Sequence, residues 1–321
     1  MNEFVSFIVP HKGREEMLLQ TVKSIFRLDV NPKEIEVIVV TQNEQLTIAS
    51  EIVGKKVSLQ VINAEPELTI SALRNIGAQR AQGDYFAFLD ADVELSKNWI
   101  KAMMSLLKEK PQRKLVSGMQ VNHKNAPILE QIRTVLSNAE LDCNVNFLPG
   151  RNLFLAKDTF FRVDGFPENL VTCEDYYFTD KVHELGELYY SSQAHYVHLG
   201  EDKQFGQLFK KEAWRAQSNL QSIKGRRIPL REIPSFVVPP AIAFCLTCAV
   251  ISLFFCQLIF GIFFLISSLL PIFIYSIRLH RLARKKVSFA TIVKFYFTYF
   301  LARAYGTFFG VVKLLVTKKS S

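Results

Sequence analysis

The chain has 321 residues, 49% of them hydrophobic, with 39 Lys and Arg against 30 Asp and Glu for a formal charge of +9. This composition excludes a disordered chain, and five Cys in such a length exclude a disulfide scaffold. From Ile233 onwards there are ten basic residues and no acid, so residues 1–232 hold 29 basic and 30 acidic side chains and lack the cationic body that nucleic-acid binding requires.

Residues 4–9 (FVSFIV) form a short apolar run ended by Pro10, as in a buried strand. Residues 16–28 then have helical spacing, with Leu18, Leu19, Val22, Ile25 and Phe26 on one side. Residues 35–40 (IEVIVV) are β-branched and strand-like, and 57–62 are a weaker third strand. A helix over 70–81 and a fourth strand over 85–89 (YFAFL) follow. Strands alternating with helices at this pace predict an α/β fold, a mostly parallel sheet with helices on both faces. In such sheets ligands bind beyond the carboxyl ends of the strands.

Two segments follow strands in this way: Pro10-His11-Lys12-Gly13-Arg14 and Asp90-Ala91-Asp92. Carboxylates at i and i+2, leaving an apolar strand towards one side, repel unless a cation sits between or beside them. A hard divalent ion held by few carboxylates keeps free positions for phosphate oxygens. An isolated D-x-D is otherwise an ordinary solvated loop, so its surroundings decide.

Those surroundings are Ser71-Ala72-Leu73-Arg74-Asn75-Ile76-Gly77 and Gly83-Asp84-Tyr85-Phe86-Ala87-Phe88-Leu89-Asp90-Ala91-Asp92. They resemble the family 2 glycosyltransferases, nucleotide-sugar-dependent enzymes of the Rossmann-like GT-A fold. The likeness continues through Gly150-Arg151-Asn152-Leu153-Phe154 and Phe161-Arg162-Val163-Asp164-Gly165-Phe166. It ends in the E-D motif of Cys173-Glu174-Asp175-Tyr176 and the V-x-H of Tyr196-Val197-His198, read as following the last strand. The ordered matches span about residues 4–220.

The resemblance implies an inverting sugar transfer from a nucleoside-diphosphate sugar, a UDP-sugar first among them, with Mn²⁺ or Mg²⁺ as cofactor. Asp92 is then the direct metal ligand, Asp90 faces the ribose or the metal's water, and His198 is a third ligand; imidazole suits Mn²⁺ better than Mg²⁺. A structural histidine is the other reading of His198. Asp175 is the expected general base, with Glu174 towards the acceptor. Should the E-D segment open a helix, Asp175 gains the N-terminal dipole, which favours its ionised form. Arg74 pairs with the diphosphate or uridine, where planar bidentate binding suits Arg. Pro10, His11, Arg14 and Asn75 belong to the expected donor-binding segments, and His11 can stack on a base. The chain departs from the family where an Asp-Asp-Gly-Ser run is usual, having Thr41-Gln42-Asn43-Glu44, so Gln42 or Glu44 is left to read a base edge. The Q-x-x-R-W of processive synthases is missing from 209–215 (FKKEAWR), which favours transfer of a single sugar.

Residues 236–277 are 42 consecutive uncharged positions, suited to two bilayer crossings and too long for one. Gln257 and Gly261 mark the expected turn, with Pro271 a later kink. Arg226, Arg227 and Arg231 on one flank and 278–286 on the other place both basic flanks on the cytoplasmic side. Residues 287–316 are aromatic but interrupted by Lys294, Arg303 and Lys313, and read as an interfacial helix or a third membrane helix. Residues 1–10 lack a basic n-region, so no signal peptide is expected. The expected organisation is a cytosolic GT-A domain over 1–225, a juxtamembrane linker over 226–235 and a membrane hairpin over 236–278. The protein is expected in the cell (inner) membrane, acting in envelope polysaccharide biosynthesis on a glycan or lipid-linked saccharide, with membrane lipids as partners. Transfer to a polyprenyl phosphate, and a non-catalytic scaffold with a degenerate transferase domain, are the competing readings.

Overall fold

This computed structural model describes residues 3–47, 57–217, 230–284 and 286–317. Of the expected basic flanks, Arg226, Arg227 and Lys285 lie outside the described residues. The chain divides into two compact units, residues 1–124 with 140–200, and residues 125–139 with 201–321.

The first unit is built on one sheet. Its opening half contains β1 (Val5–His11), α1 (Glu15–Ile25), β2 (Ile35–Thr41), β3 (Ser58–Asn63), α2 (Ile70–Arg80) and β4 (Tyr85–Leu89). Strands β1 and β2 are buried at every position, as expected where helices cover both faces, while β3 alternates towards exposure as an edge strand does. Helix α1 starts with Glu15 and Glu16, favourable at a helix N-terminus, and buries Leu18, Val22 and Ile25. Thr69 caps α2 by accepting from the Ala72 N–H at 3.2 Å. The four strands are mutually parallel, in the order β3-β2-β1-β4.

The second half of the sheet is mixed. It holds β5 (Val93–Leu95), α3 (Trp99–Glu109), β6 (Arg113–Val121), β7 (Cys143–Val145), β8 (Asn152–Ala156), α5 (Lys157–Arg162), α6 (Glu174–Leu185) and β9 (Glu187–His198). Strand β8 runs antiparallel to β4, with Asn152 opposite Leu89 and Leu153 opposite Phe88. Strand β9 runs parallel to β6, and β5 pairs antiparallel with it, placing Val93 opposite His198. Tyr196-Val197-His198 thus ends the last strand instead of following it. The alternation of each strand sends Phe7 and Val9 to a core with Leu18, Trp99 and Met103. Ile8, Phe86 and Phe88 face the other core with Phe160, Phe166 and Phe178.

The second unit is helical. It contains α4 (Ile128–Ser137), α7 (Phe205–Gln217), α8 (Ile233–Phe254), α9 (Leu258–Leu282) and α10 (Phe289–Thr317). Helices α8 and α9, of 22 and 25 residues, reach mean hydropathies of 2.2 and 2.4 and are long and apolar enough to cross a membrane. They break at Phe255–Gln257, where Cys256 takes a positive φ of 57° and the Gln257 N–H closes the helix end on Ser252 at 2.8 Å. The turn expected near Gln257 is there, and Pro271 lies inside α9. Leu129 and Ile132 of α4 and Leu208 of α7 are buried among Ile242, Ile272, Ile292 and Phe295. This packing groups α7 with the C-terminal helices, and the division between units falls at Gly200.

An ion network lies inside this unit. Glu212 is 1% exposed and accepts from Arg133 at 2.5 Å, Arg215 at 2.8 Å and Arg303 at 3.1 Å. Burial alone would raise its pKa, but the three arginines outweigh burial and pull it down to about 2.

Candidate active site

The parallel strands deliver three loops to one edge of the sheet. His11 and Thr41 are register partners at the ends of β1 and β2, and the His11 Nδ1 lies 2.9 Å from the Thr41 hydroxyl. The 12–14 loop is clamped by Asn43, which accepts from the Gly13 N–H at 2.8 Å and donates to the Gly13 carbonyl at 3.0 Å. A φ of +81° at Gly13 is the left-handed conformation that favours glycine. Asn43 was not singled out from the sequence. Its position two residues beyond a strand, where Asn commonly bonds backbone, was the available signal.

The D-x-D segment does not behave as an extension of the strand. Ala91 and Asp92 form a turn between β4 and β5, so strand alternation stops at Leu89 and each carboxylate finds its own cation. Asp90 accepts from Arg74 Nη2 at 2.9 Å. Asp92 accepts from Arg14 Nη2 at 3.0 Å through Oδ2, and its Oδ1 lies 3.4 Å from His198 Nε2. The Leu199 N–H donates to the Asp92 carbonyl at 2.7 Å. Gly200 leaves room here: a Cβ there would lie 2.0 Å from Asp92 Oδ2.

The antiparallel β8 brings its leading residues to the same place. The Asp90 N–H donates to the Arg151 carbonyl at 3.1 Å, and Arg151 Nη1 lies 3.2 Å from His198 Nδ1. The Gly150 N–H donates to Asp175 Oδ2 at 3.2 Å. Helix α6 opens at Glu174, after Cys173 in the left-handed region with φ 64°, so Asp175 stands in the first turn and receives the positive end of the helix dipole. Its Oδ1 accepts from the Tyr176 N–H at 2.9 Å. Tyr176 stacks on Phe147 with ring centroids 3.8 Å apart.

Arg74 is the centre of this arrangement. It is 1% exposed and donates from Nη1 to Glu174 at 2.9 Å and from Nη2 to Asp90, with the Gly150 carbonyl at 3.4 Å and the Phe166 ring 4.9 Å away. Burial and the neighbouring Asp175 hold the Glu174 pKa above its ordinary value, against the pull of Arg74.

The expected site residues therefore separate into two groups. Asp90, Asp92, Arg14, Glu174, Asp175 and His198 converge. Arg74, expected at the diphosphate, has both of its terminal nitrogens on carboxylates of the site, Glu174 and Asp90. Asn75 is likewise committed, bonding Phe166 backbone on both its amide atoms and Glu168 through Nδ2. Gln42 donates to the carbonyls of Glu65 and Leu68 at 2.8 and 3.0 Å, holding the 65–68 turn. Pro10 is buried in β1. His11 is 2% exposed and offers no ring face to a base; burial lowers its pKa.

Among the described residues no group of three His, Cys, Asp or Glu side chains is gathered for a metal. Asp92 and His198 nevertheless offer the donor types a divalent ion takes, a carboxylate oxygen and an imidazole nitrogen facing one another at 3.4 Å, with Arg14 on the other carboxylate oxygen in this structure.

Comparison with known proteins agrees with this architecture. Residues 6–155 match the family described as Glycosyl transferase family 2. Glycosyltransferase AglE of Haloferax volcanii is 23% identical over 238 residues, covering 72% of this chain and 77% of that protein. An uncharacterized glycosyltransferase of Haemophilus influenzae is 25% identical over 65% of this chain and 85% of its own length. Among solved structures, the mannosyltransferase PcManGT from Pyrobaculum calidifontis, in complex with GDP-Man and Mn²⁺, aligns with a TM-score of 0.62 at 14% identity. It covers 95% of this chain and 87% of its own. S. aureus TarS 1–349 in complex with UDP-GlcNAc aligns at 0.51 and 16% identity, covering 94% and 90%. The first unit is a GT-A fold with a family 2 glycosyltransferase domain matched over residues 6–155, and the protein is a glycosyltransferase.

Proposed function

We propose that the protein transfers one sugar, with inversion, from a nucleoside-diphosphate sugar to a membrane-proximal acceptor, a lipid-linked saccharide or related glycan precursor. The observation that carries this reading is the separation of the E-D pair. Glu174 is bound to the buried Arg74, while Asp175 stands in the first turn of α6 with its carboxylate on backbone N–H groups. A carboxylate held in place by backbone N–H groups suits a general base. Asp175 takes the proton of the acceptor hydroxyl as that oxygen attacks the anomeric carbon. The bond from sugar to diphosphate breaks on the opposite face, releasing the nucleoside diphosphate.

Asp92 and His198 are the residues proposed to hold a divalent ion, which when bound supplies Lewis-acid stabilisation of the leaving diphosphate. Arg14, 61% exposed at its side chain, is the cation best able to turn from Asp92 to a phosphate. Arg74 acts as a positioning residue that joins the Asp90 turn to the Glu174 segment. The complexes of the structural neighbours with GDP-Man and UDP-GlcNAc support a nucleotide-sugar donor without choosing its base. We place α8 and α9 across the membrane as a hairpin, with the GT-A unit on the cytosolic side. The tether raises the effective concentration of a lipid-borne acceptor.

Calorimetric titration of the full chain in detergent with UDP-, GDP- and dTDP-linked sugars, with Mn²⁺ or with EDTA, tests the donor site. Binding of one class that requires the cation is expected. Failure of all three donors, whatever ion is supplied, removes the proposal.

A further inference from the structure

Helix α10 has two unlike sides. On one, Ile292, Phe295, Phe300 and Ala302 are buried, and Arg303 donates from Nη1 to Glu212 of α7 at 3.1 Å. The Lys294 ammonium lies 4.5 Å from the centre of the Phe205 ring of α7, although Lys294 is exposed and leaves α10 on the other side, one turn before Phe297. Gly306 and Gly310 allow the two helices to touch closely: a Cβ at either would lie 2.1 Å from the Ala213 carbonyl and 2.3 Å from that of Gln217, respectively. On the other side, Phe297, Tyr305, Phe308, Phe309 and Val312 are between 40% and 66% exposed. At 100° per residue these five form one stripe, continuous with nothing polar but Thr298 and the flanking lysines.

Arg303 is the middle residue of the 29 in α10. Were α10 a third crossing, Arg303 would sit at mid-bilayer. It would take with it α7, where Lys210, Lys211, Glu212 and Arg215 fall within six residues, and Arg133 of α4. Charges at the membrane centre are costly and few proteins keep so many there. Lying in the plane of the interface avoids that cost. The aromatic stripe then enters the acyl boundary, while Lys294, Lys313 and Lys210 remain among headgroups. An acid-free tail with ten basic residues is the charge complement of an anionic leaflet. The stripe also belongs to the same unit as the apolar α8–α9 hairpin, against whose α9 the Tyr296 and Phe300 rings pack at Tyr275.

We propose that α7 and α10, locked together by the Glu212–Arg303 pair, lie along the surface of an anionic bilayer with the Phe297–Val312 stripe inserted, and that α10 does not span it. This rests on the reading of α8–α9 as a membrane hairpin. The test uses depth-dependent fluorescence quenching of the full chain in phosphatidylcholine–phosphatidylglycerol vesicles. The lipids carry bromine either near the headgroup or near the chain terminus. In a Trp214→Phe background, Tyr305→Trp reports the stripe two residues from the helix midpoint, and Leu270→Trp reports the middle of α9. The remaining Trp99 is fully buried in the first unit and supplies a constant unquenched signal.

Stronger quenching of Tyr305→Trp by the shallow bromines, with Leu270→Trp quenched best by the deep ones, is the expected result. Deep quenching at both positions makes α10 a third span and overturns the proposal. Quenching only at Leu270→Trp shows the stripe covered by protein, a second copy included, and also overturns it. No quenching at Leu270→Trp refutes the hairpin reading itself, a distinct outcome that takes the present proposal with it.

Discussion

The two units each contain a buried ion network, and the networks have inverted composition. In the GT-A unit one guanidinium, Arg74, lies among Asp90, Glu174 and the nearby Asp175. In the helical unit one carboxylate, Glu212, lies among Arg133, Arg215 and Arg303. Their carboxylates respond in opposite directions. Burial and a like charge hold Glu174 above its ordinary pKa, whereas three cations overcome burial and bring Glu212 to about 2. The first network exposes a carboxylate, Asp90 at 31% of its side chain, whereas the second keeps its carboxylate at 1% and meets solvent through Arg215 at 37%. A carboxylate cluster kept short of cations, at an open edge, is suited to receive a cation or a proton. A carboxylate saturated by arginines is suited only to hold helices together.

The contrast can be broken at its strongest point first. Asp175→Asn is expected to lower the transfer rate by about 10²–10⁴-fold, the usual contribution of a general base, with an unchanged circular dichroism spectrum. Retained turnover of labelled sugar in this variant would take the base role away from Asp175. Glu212→Leu should be an opposite kind of lesion. It leaves three guanidiniums without their shared carboxylate and is expected to lower stability by about 3–5 kcal/mol in chemical denaturation. The sign with pH follows from the lowered pKa: the Glu212 contribution is complete above the ordinary value of 4.5 and is lost as pH falls towards 2. A variant as stable as the parent at neutral pH would show the network to be dispensable.

The smallest effect concerns His11, which belongs to neither network. Burial lowers its pKa below 6.5, so the unfolded chain binds the proton more readily than the folded one. Its contribution to stability is full above pH 6.5 and declines as pH falls through the lowered folded value. His11→Asn is expected to flatten that acid-side slope in thermal unfolding scans, and an unchanged slope would place the titration elsewhere.

Much of the first unit was legible from local pattern. Apolar β-branched runs, helical spacing and the Thr69 cap are short-range properties, and the elements over 35–41, 70–80 and 85–89 lie where their sequences place them. The convergence of Asp90, Asp92, Asp175 and His198 was readable through the motifs. The partners of Arg74, Asn75 and Gln42 were not. A motif states that a residue type is required, but an arginine held by buried carboxylates and one that binds phosphate have the same sequence. The second network was equally hidden, since Arg133, Glu212 and Arg303 are 79 and 91 residues apart along the chain.

The sequence by itself determined the alternating strands and helices, the acids at the end of β4, and an uncharged run long enough for two crossings. These follow from chain-local sterics and hydrophobicity. Only the tertiary structure decided that β8 runs antiparallel to β4 and that β5 pairs with the end of β9. Those registers carry Gly150, Arg151 and His198 to the D-x-D turn. Tertiary packing likewise decided that α4 and α7 join the C-terminal helices around Glu212. The reason is that strand register and helix contacts between distant segments are fixed by burial and charge pairing across space, which no local stretch of sequence contains.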